Sequence, residues 1–325
     1  MNPYIVAVDL GGTQIRAALC DPQGQIYRRV AKLTRAAEGP QAVLTRLEES
    51  IAEALEGTAP DAVVGIGIGA PGPLDPAAGM ILAAPNLPGW VNVPLRNLIS
   101  ARFGKPTFLG NDANVAGLAE ATYGAARGVK DMVYLTISTG IGSGIIVDGR
   151  LLLGARGLAA EAGHMVIKPD GPKCGCGNRG CLEALAAGPA ISRDVIGRLK
   201  AGKGSKSGKV LKLVGGDLNK VDARVVGEAA AAGDKLAANA FRRAGKYLGL
   251  GIVNLLHLFN PRMVVLGGSV TKAGPLLFDP MWEMIRARAM PGYLEGLSIV
   301  PAALGDDVGL LGALALAVTE LGIKE

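Results

Sequence analysis

The sequence predicts an α/β protein of two related domains. Three observations lead there. Strand-length apolar runs alternate with amphipathic runs of helix length, a strand, glycine turn, strand unit occurs near the start and again near the middle, and 325 residues exceed what one hydrophobic core usually supports. Ligands of α/β folds gather at strand ends and domain interfaces, so the repeated unit predicts two domains facing a cleft.

Residues 4–10 and 15–20 read as strands, the second with Ile15, Ala17 and Leu19 on one face and Arg16 on the other. Gly11-Gly12-Thr13 between them is a hairpin turn. A strand near 26–33, a helix over 40–55, a buried strand 62–68, a helix near 95–103 and a strand 106–109 follow, in the order βββαβα. The second half restarts with a strand 132–137, the turn Ser138-Thr139-Gly140-Ile141-Gly142, a strand 144–147 and another at 151–153. Helices near 225–231 and 235–258, a strand 263–266, a helix near 276–289, a strand 297–301 and a closing helix after Asp307 complete the chain.

Composition narrows the function classes. Apolar residues make up 49% of the chain and glycine recurs in short clusters without a G-x-y period, which excludes disorder and collagen-like structure. The net charge of +6 owes much to Lys200, Lys203, Lys206, Lys209 and Lys212, in a Gly/Ser-rich stretch without aromatics; this reads as a solvated loop and disfavours a nucleic-acid partner. The start MNPYIVAVDL has no basic leader and meets Asp9 within one strand length, and the run 310–318 is too short to span a membrane, so a soluble, cytoplasmic protein is expected.

Asp9-Leu10-Gly11-Gly12-Thr13 sets a carboxylate at a strand end, backbone N–H groups without side chains in the way, and a hydroxyl. That is a phosphate cradle with a place for Mg²⁺. A strand follows it rather than a helix, so it is neither a P-loop nor a dinucleotide fingerprint. An Asp-Gly hairpin turn is the plain alternative, and the twin at Thr139-Gly140 weighs against it. The segment 203–209 has the wrong glycine spacing for a Walker loop. Asn111-Asp112 follows a strand and opens a helix; Asp112 reads as an N-cap, and equally as a carboxylate able to take a proton from a hydroxyl attacking phosphorus. His164, Cys174, Cys176 and Cys181 offer one imidazole and three thiolates, a closed set suited to structural zinc, against the alternative of a buried histidine beside free thiols. His257 lies in an apolar stretch and reads as a packing or capping residue.

Taken together, DLGGT, GAPGPLD, NDANVAGLAE, the run from Ile137 through Gly163-His164, CGCGNRGCLE and VLGGSV occur in the order found in the ROK family (repressors, open reading frames and kinases), and the chain resembles its zinc-containing bacterial glucokinases. The resemblance spans almost the whole chain. It implies an actin-like, hexokinase-like (ribonuclease H-like) fold of two α/β domains with an interdomain cleft. The smaller domain is expected at 1–111 plus 306–325, the closing helix returning to it, and the larger at 112–305 with a zinc loop at 164–183. Carried over residue by residue, it implies Asp112 as catalytic base, with Asn111, Glu161, His164 and Glu183, joined by Gly72 and Asn86, as sugar contacts. It further implies Asp9 as the magnesium-associated carboxylate, Gly11, Gly12, Thr13, Thr139 and Gly140 as phosphate turns, Gly267-Gly268 as the adenosine contact, and zinc on His164, Cys174, Cys176 and Cys181. Zinc on one ring nitrogen of His164 would orient the other toward the sugar. The expected substrates are ATP with Mg²⁺ and a hexose, glucose being favoured by PNLPGW and the full zinc loop, with mannose, N-acetylmannosamine, fructose and allose as alternatives. A homodimer or homotetramer is expected. Gln14 stands where many relatives carry Lys, which leaves phosphate charge to backbone amides and Mg²⁺. A non-catalytic sugar sensor is the competing class, and the absence of a helix-turn-helix before the first strand speaks against a DNA-binding role.

Overall fold

The computed structural model describes residues 3–202 and 208–323, so Lys203 and Lys206 lie outside the described residues. The chain divides into two compact units, residues 1–134, 144–160 and 302–325, and residues 135–143 and 161–301.

In the first unit, alternation along the strands sorts side chains into two cores. From β1 (Tyr4–Leu10) and β2 (Gln14–Cys20), Val6, Val8, Leu10, Ile15, Ala17 and Leu19 face α1 (Pro40–Leu55), whereas Ile5, Ala7, Ala18 and Cys20 face the opposite side. The strand order is β3 (Ile26–Leu33), β2, β1, β4 (Val63–Ala70), β8 (Thr107–Asn111), antiparallel across the first three and parallel from β1 to β8. Between β4 and β8 the chain forms a small sheet of β5 (Leu74–Asp75), β6 (Met80–Ala83) and β7 (Val91–Val93), then α2 (Leu95–Phe103).

The sequence VVGIGIGA of β4 explains how the second face is covered. Ile66 and Ile68 enter the α1 core, which leaves Gly65, Gly67 and Gly69 on the other face. A Cβ at Gly67 would lie 1.9 Å from the carbonyl oxygen of Ala313, so α10 (Val308–Glu320) rests directly on strand backbone. Beside it lies α3 (Asp112–Thr122), whose Gly117 meets the backbone of Gly144 on β10 (Ile141–Val147); a Cβ there would be 3.0 Å from that Cα. Buried Glu120 holds the other end of α3, accepting from the N–H groups of Ala125 (2.8 Å), Ala303 (3.0 Å) and Leu304 (3.0 Å).

The second five-stranded sheet repeats the order of the first: β11 (Arg150–Leu151), β10, β9 (Met132–Ile137), β12 (Met263–Gly267), β13 (Ser298–Pro301). The recurrence expected from the sequence is thus present in the topology. The second unit adds α4 (Leu182–Ala186), α5 (Gly188–Lys200), α6 (Lys209–Leu213), α7 (Ala223–Ala231), α8 (Lys235–Phe259) and α9 (Pro275–Arg288). The sequence reading lacks α4, α5 and α6 and treats the lysine run as loop, yet Lys200 closes α5 and Lys209 and Lys212 lie on α6. The Gly-Pro start of α5 and the five-residue length of α4 and α6 hide the helical period. The small sheet was equally invisible, its strands being two to four residues long. His257 has the structural role expected of it: its Nε2 accepts from the N–H of Met290 at 3.3 Å and its ring packs edge-on against Tyr293. No helix among the described residues is long and apolar enough to cross a membrane.

Candidate active site

In the first unit, parallel strands end where the functional side chains begin. Ala70 of β4 pairs with Asn111 of β8, and the Asn111 carboxamide lies against Gly72, where a Cβ would approach its Nδ2 to 3.1 Å. Asn111, and not Asp112, caps α3: its Oδ1 accepts from the N–H groups of Ala113 (3.1 Å) and Asn114 (3.2 Å). The capping role read onto Asp112 is therefore corrected. Asp112 is the first helical residue, exposed, with Oδ1 accepting from the Ala113 N–H at 2.7 Å.

Gly11 closes the first glycine turn by donating to the Gln14 carbonyl at 2.9 Å. Gly12 packs on Asn86, whose Cβ would stand 2.7 Å from a Cβ added at Gly12; the loop PNLPGW is thereby held against the phosphate turn, with Asn86 and Thr13 exposed. Asp9 pairs across the hairpin with Arg16, which engages Oδ2 through Nε (3.0 Å) and Nη2. The carboxylate also meets Gly309 in the first turn of α10, where a Cβ would lie 2.6 Å from Oδ2. Sequence reasoning missed both partners. A two-residue turn at Gly12-Thr13 places Asp9 opposite Arg16 and carries the first signal; Gly309, distant in sequence, gives none.

In the second unit, Glu183 is the hub. Its Oε2 accepts from the N–H of Ile141 at 3.0 Å and fills the space a side chain at Gly140 would need, a Cβ there falling 2.6 Å from the same oxygen. Its Oε1 is 3.6 Å from the Cys174 sulfur, which is 3.7 Å from Nδ1 of His164. The turn carrying Glu161 and His164 is fixed to the start of β10, since a Cβ at Gly163 would fall 2.0 Å from the Ile141 carbonyl oxygen and Ala162 N–H donates to Ser143 Oγ at 3.1 Å. Glu161 itself is exposed, and its carbonyl accepts from the His164 N–H at 3.0 Å.

The ligand atoms of His164, Cys174, Cys176 and Cys181 all lie within 4.8 Å of one another. The sulfurs of Cys176 and Cys181 are 3.7 Å apart, far beyond a disulfide bond of about 2.05 Å. Zinc with Zn–S bonds of about 2.3 Å in tetrahedral geometry sets its sulfurs about 3.8 Å apart, so the cluster fits such an ion. Burial pushes the Cys181 thiol up to about 12 and raises Cys174, while a backbone hydrogen bond from Asn178 lowers exposed Cys176. Metal ligation would keep these buried sulfurs as thiolates.

A cavity of about 550 Å³ opens in this unit beside the second glycine turn. Ser138 and Thr139 line it together with Gly188 at the N-terminus of α5, Asp222, Ser269 and Val270. The hydroxyls of Ser138 and Ser269 are 3.0 Å apart, tying the turn after β9 to the loop after β12. Gly267 and Gly268 do not line the cavity; Gly268, at φ 89°, lets the chain turn against β9, where a Cβ would lie 2.3 Å from the Ile137 carbonyl oxygen. Its following residues form the wall. Sequence reasoning missed Ser138, Ser269, Asp222 and the α5 terminus, because α5 itself was not legible.

Known proteins share this arrangement. The chain is 39% identical over 319 residues to a glucokinase of Thermotoga maritima, covering 98% of each. It superposes with a TM-score of 0.79 on the ROK family glucokinase of Streptomyces griseus solved with glucose and AMPPNP, at 34% identity over 96% of this chain and 98% of that one. It is also 30% identical to a xylose repressor of Caldicellulosiruptor bescii, covering 98% of this chain and 78% of the repressor. Both five-stranded sheets therefore belong to a two-domain, hexokinase-like α/β fold. Residues 5–320, which carry the glycine turns, the NDAN helix start and the Cys₃His cluster, match the ROK family profile: the chain belongs to the ROK family.

Proposed function

We propose that the protein is an ATP-dependent hexose kinase that converts glucose and ATP to glucose 6-phosphate and ADP. The observation that carries this reading is the division of labour at the start of α3: Asn111 satisfies the helix N–H groups, and the exposed Asp112 carboxylate stands at the helix terminus beside it. Asp112 accepts the proton of the 6-hydroxyl as that oxygen attacks the γ-phosphate, which departs from ADP in line. Asn111, Gly72, Asn86, Glu161, His164 and Glu183 are the proposed sugar contacts. A pocket of hydrogen-bonding groups discriminates strongly against a sugar lacking a hydroxyl.

Thr139-Gly140 and Gly11-Gly12-Thr13 take the phosphates through backbone N–H groups. The cavity beside Ser138 and the α5 N-terminus suits the nucleoside end of ATP, and helix N-termini favour anions. Magnesium neutralises the transferred phosphate when bound with ATP. Asp9 fits this role, because among the described residues Arg16 takes Oδ2 alone. Zinc on His164, Cys174, Cys176 and Cys181 would be structural, with all four positions filled by protein. The approach of His164 Nδ1 to Cys174 supports Nδ1 as the metal ligand and Nε2 as the sugar contact. A cytoplasmic, oligomeric enzyme accords with this reading.

The test is a coupled ADP-release assay over glucose, mannose, N-acetylmannosamine, fructose and allose. Turnover highest with glucose is expected. The similarity to a xylose repressor favours one competing reading, a sugar sensor; calorimetric sugar binding without ADP release from any hexose would establish that reading instead.

A further inference from the structure

A second cavity, of about 740 Å³, lies wholly within the first unit. Asn111 reaches its edge, whereas Asp112, Gly72, Asn86 and the first glycine turn do not line it. Its volume is that of a small-molecule site. Phe108, Leu118, Ile146, Leu151 and Leu316 make its apolar walls.

Two further observations give the cavity a chemistry. Asn114 lines it and is 4% exposed; its backbone N–H donates to Asn111 Oδ1, and its carboxamide makes no hydrogen bond among the described residues. Its amide atoms keep access from the cavity, where a polar group can pair with them. The remaining charge lining the cavity is one-sided: among the described residues Arg96, Lys130 and Arg150 stand against the acid Glu320. Arg96 is fixed by donating to the carbonyls of Pro76, Ala77 and Ala78. Lys130 and Arg150 are exposed, and among the described residues neither has a carboxylate within ion-pair distance.

We propose that this cavity binds a small organic anion, with an apolar body against the Phe108, Leu118 and Leu316 walls, a polar group on Asn114, and a sulfonate, phosphate or carboxylate at Lys130 and Arg150. An occupant packs against α3, the helix that begins at Asp112. The proposal does not depend on the kinase reading, and its test measures binding alone.

The probe is 8-anilinonaphthalene-1-sulfonate, titrated into the full chain by fluorescence and calorimetry, with the uncharged N-phenyl-1-naphthylamine as control. One sulfonate probe per chain is expected. The uncharged analogue should bind at least tenfold more weakly, and the probe should lose at least tenfold in affinity in the double variant Lys130→Glu/Arg150→Glu. Leu118→Trp, which fills the cavity, should abolish binding; because a tryptophan in a packed helix can cost the fold, the exposed double variant carries the test without it. Absence of one-to-one binding to the wild type, equal binding of the uncharged analogue, or unchanged affinity in the double variant would overturn the proposal.

Discussion

Replacing Asp112 by Asn isolates the chemistry from the fold. The carboxylate is not the helix cap, and the Asn carbonyl keeps the acceptor for the Ala113 N–H. The helix loses one charge in its first turn, about 0.3–1 kcal/mol. What the reaction loses is its base, a factor of about 10²–10⁴, equivalent to roughly 3–5 kcal/mol on the barrier. Asn111→Ala should behave in the opposite sense for stability: it strips the acceptor from two helix N–H groups and costs about 1 kcal/mol, with weakened sugar binding. Turnover by coupled ADP release, glucose affinity by calorimetry and thermal melting together separate the variants. If Asp112→Asn keeps turnover within tenfold of wild type, the assignment of the base is wrong; if Asn111→Ala leaves the melting temperature unchanged, the assignment of the cap is wrong.

Three other outcomes follow from the structure. Metal analysis should return about one zinc per chain, and chelation should weaken glucose binding together with loosening the 164–183 loop, because Glu183 touches both the Cys174 sulfur and the second glycine turn; metal-free protein with full glucose affinity would refute this. Gly67→Ala should destabilise by about 1–3 kcal/mol or more, since the new methyl meets the Ala313 backbone and no side-chain rotation relieves it; an unchanged denaturant midpoint would contradict the packing of α10. Asp307 is held below the usual carboxylate range by its hydrogen bond to Arg29, so the stability it contributes is present above the unfolded value of about 3.9 and is lost as pH falls through the lower folded value. The melting difference between wild type and Asp307→Asn should accordingly be full near neutrality and vanish in strong acid; a difference independent of pH would exclude the ion pair as its source.

Much of the molecule was legible because its signals are local. Period-two alternation in β1 and β2 sorts Val6 and Val8 from Ile5 and Ala7 without reference to the rest of the chain. The repeated strand, glycine turn, strand pattern reappears as two sheets of the same order. The cysteine spacing needed only a short loop to gather three sulfurs, with His164 ten residues before the first of them. Short elements were lost, since two to five residues display no period, and with them went the α5 terminus and the cavity beside Ser138.

Residue types and spacing alone singled out the candidate groups: the Asp9 and Asp112 carboxylates, the glycine turns and the Cys₃His set. Only tertiary structure decided how each is used. Asn111 rather than Asp112 caps α3, Arg16 and Gly309 hold Asp9, and Glu183 joins the second glycine turn to the cysteine cluster. The reason is physical: which groups a chain offers is written residue by residue, but which polar atom meets which depends on angles and contacts that packing sets between segments far apart in sequence.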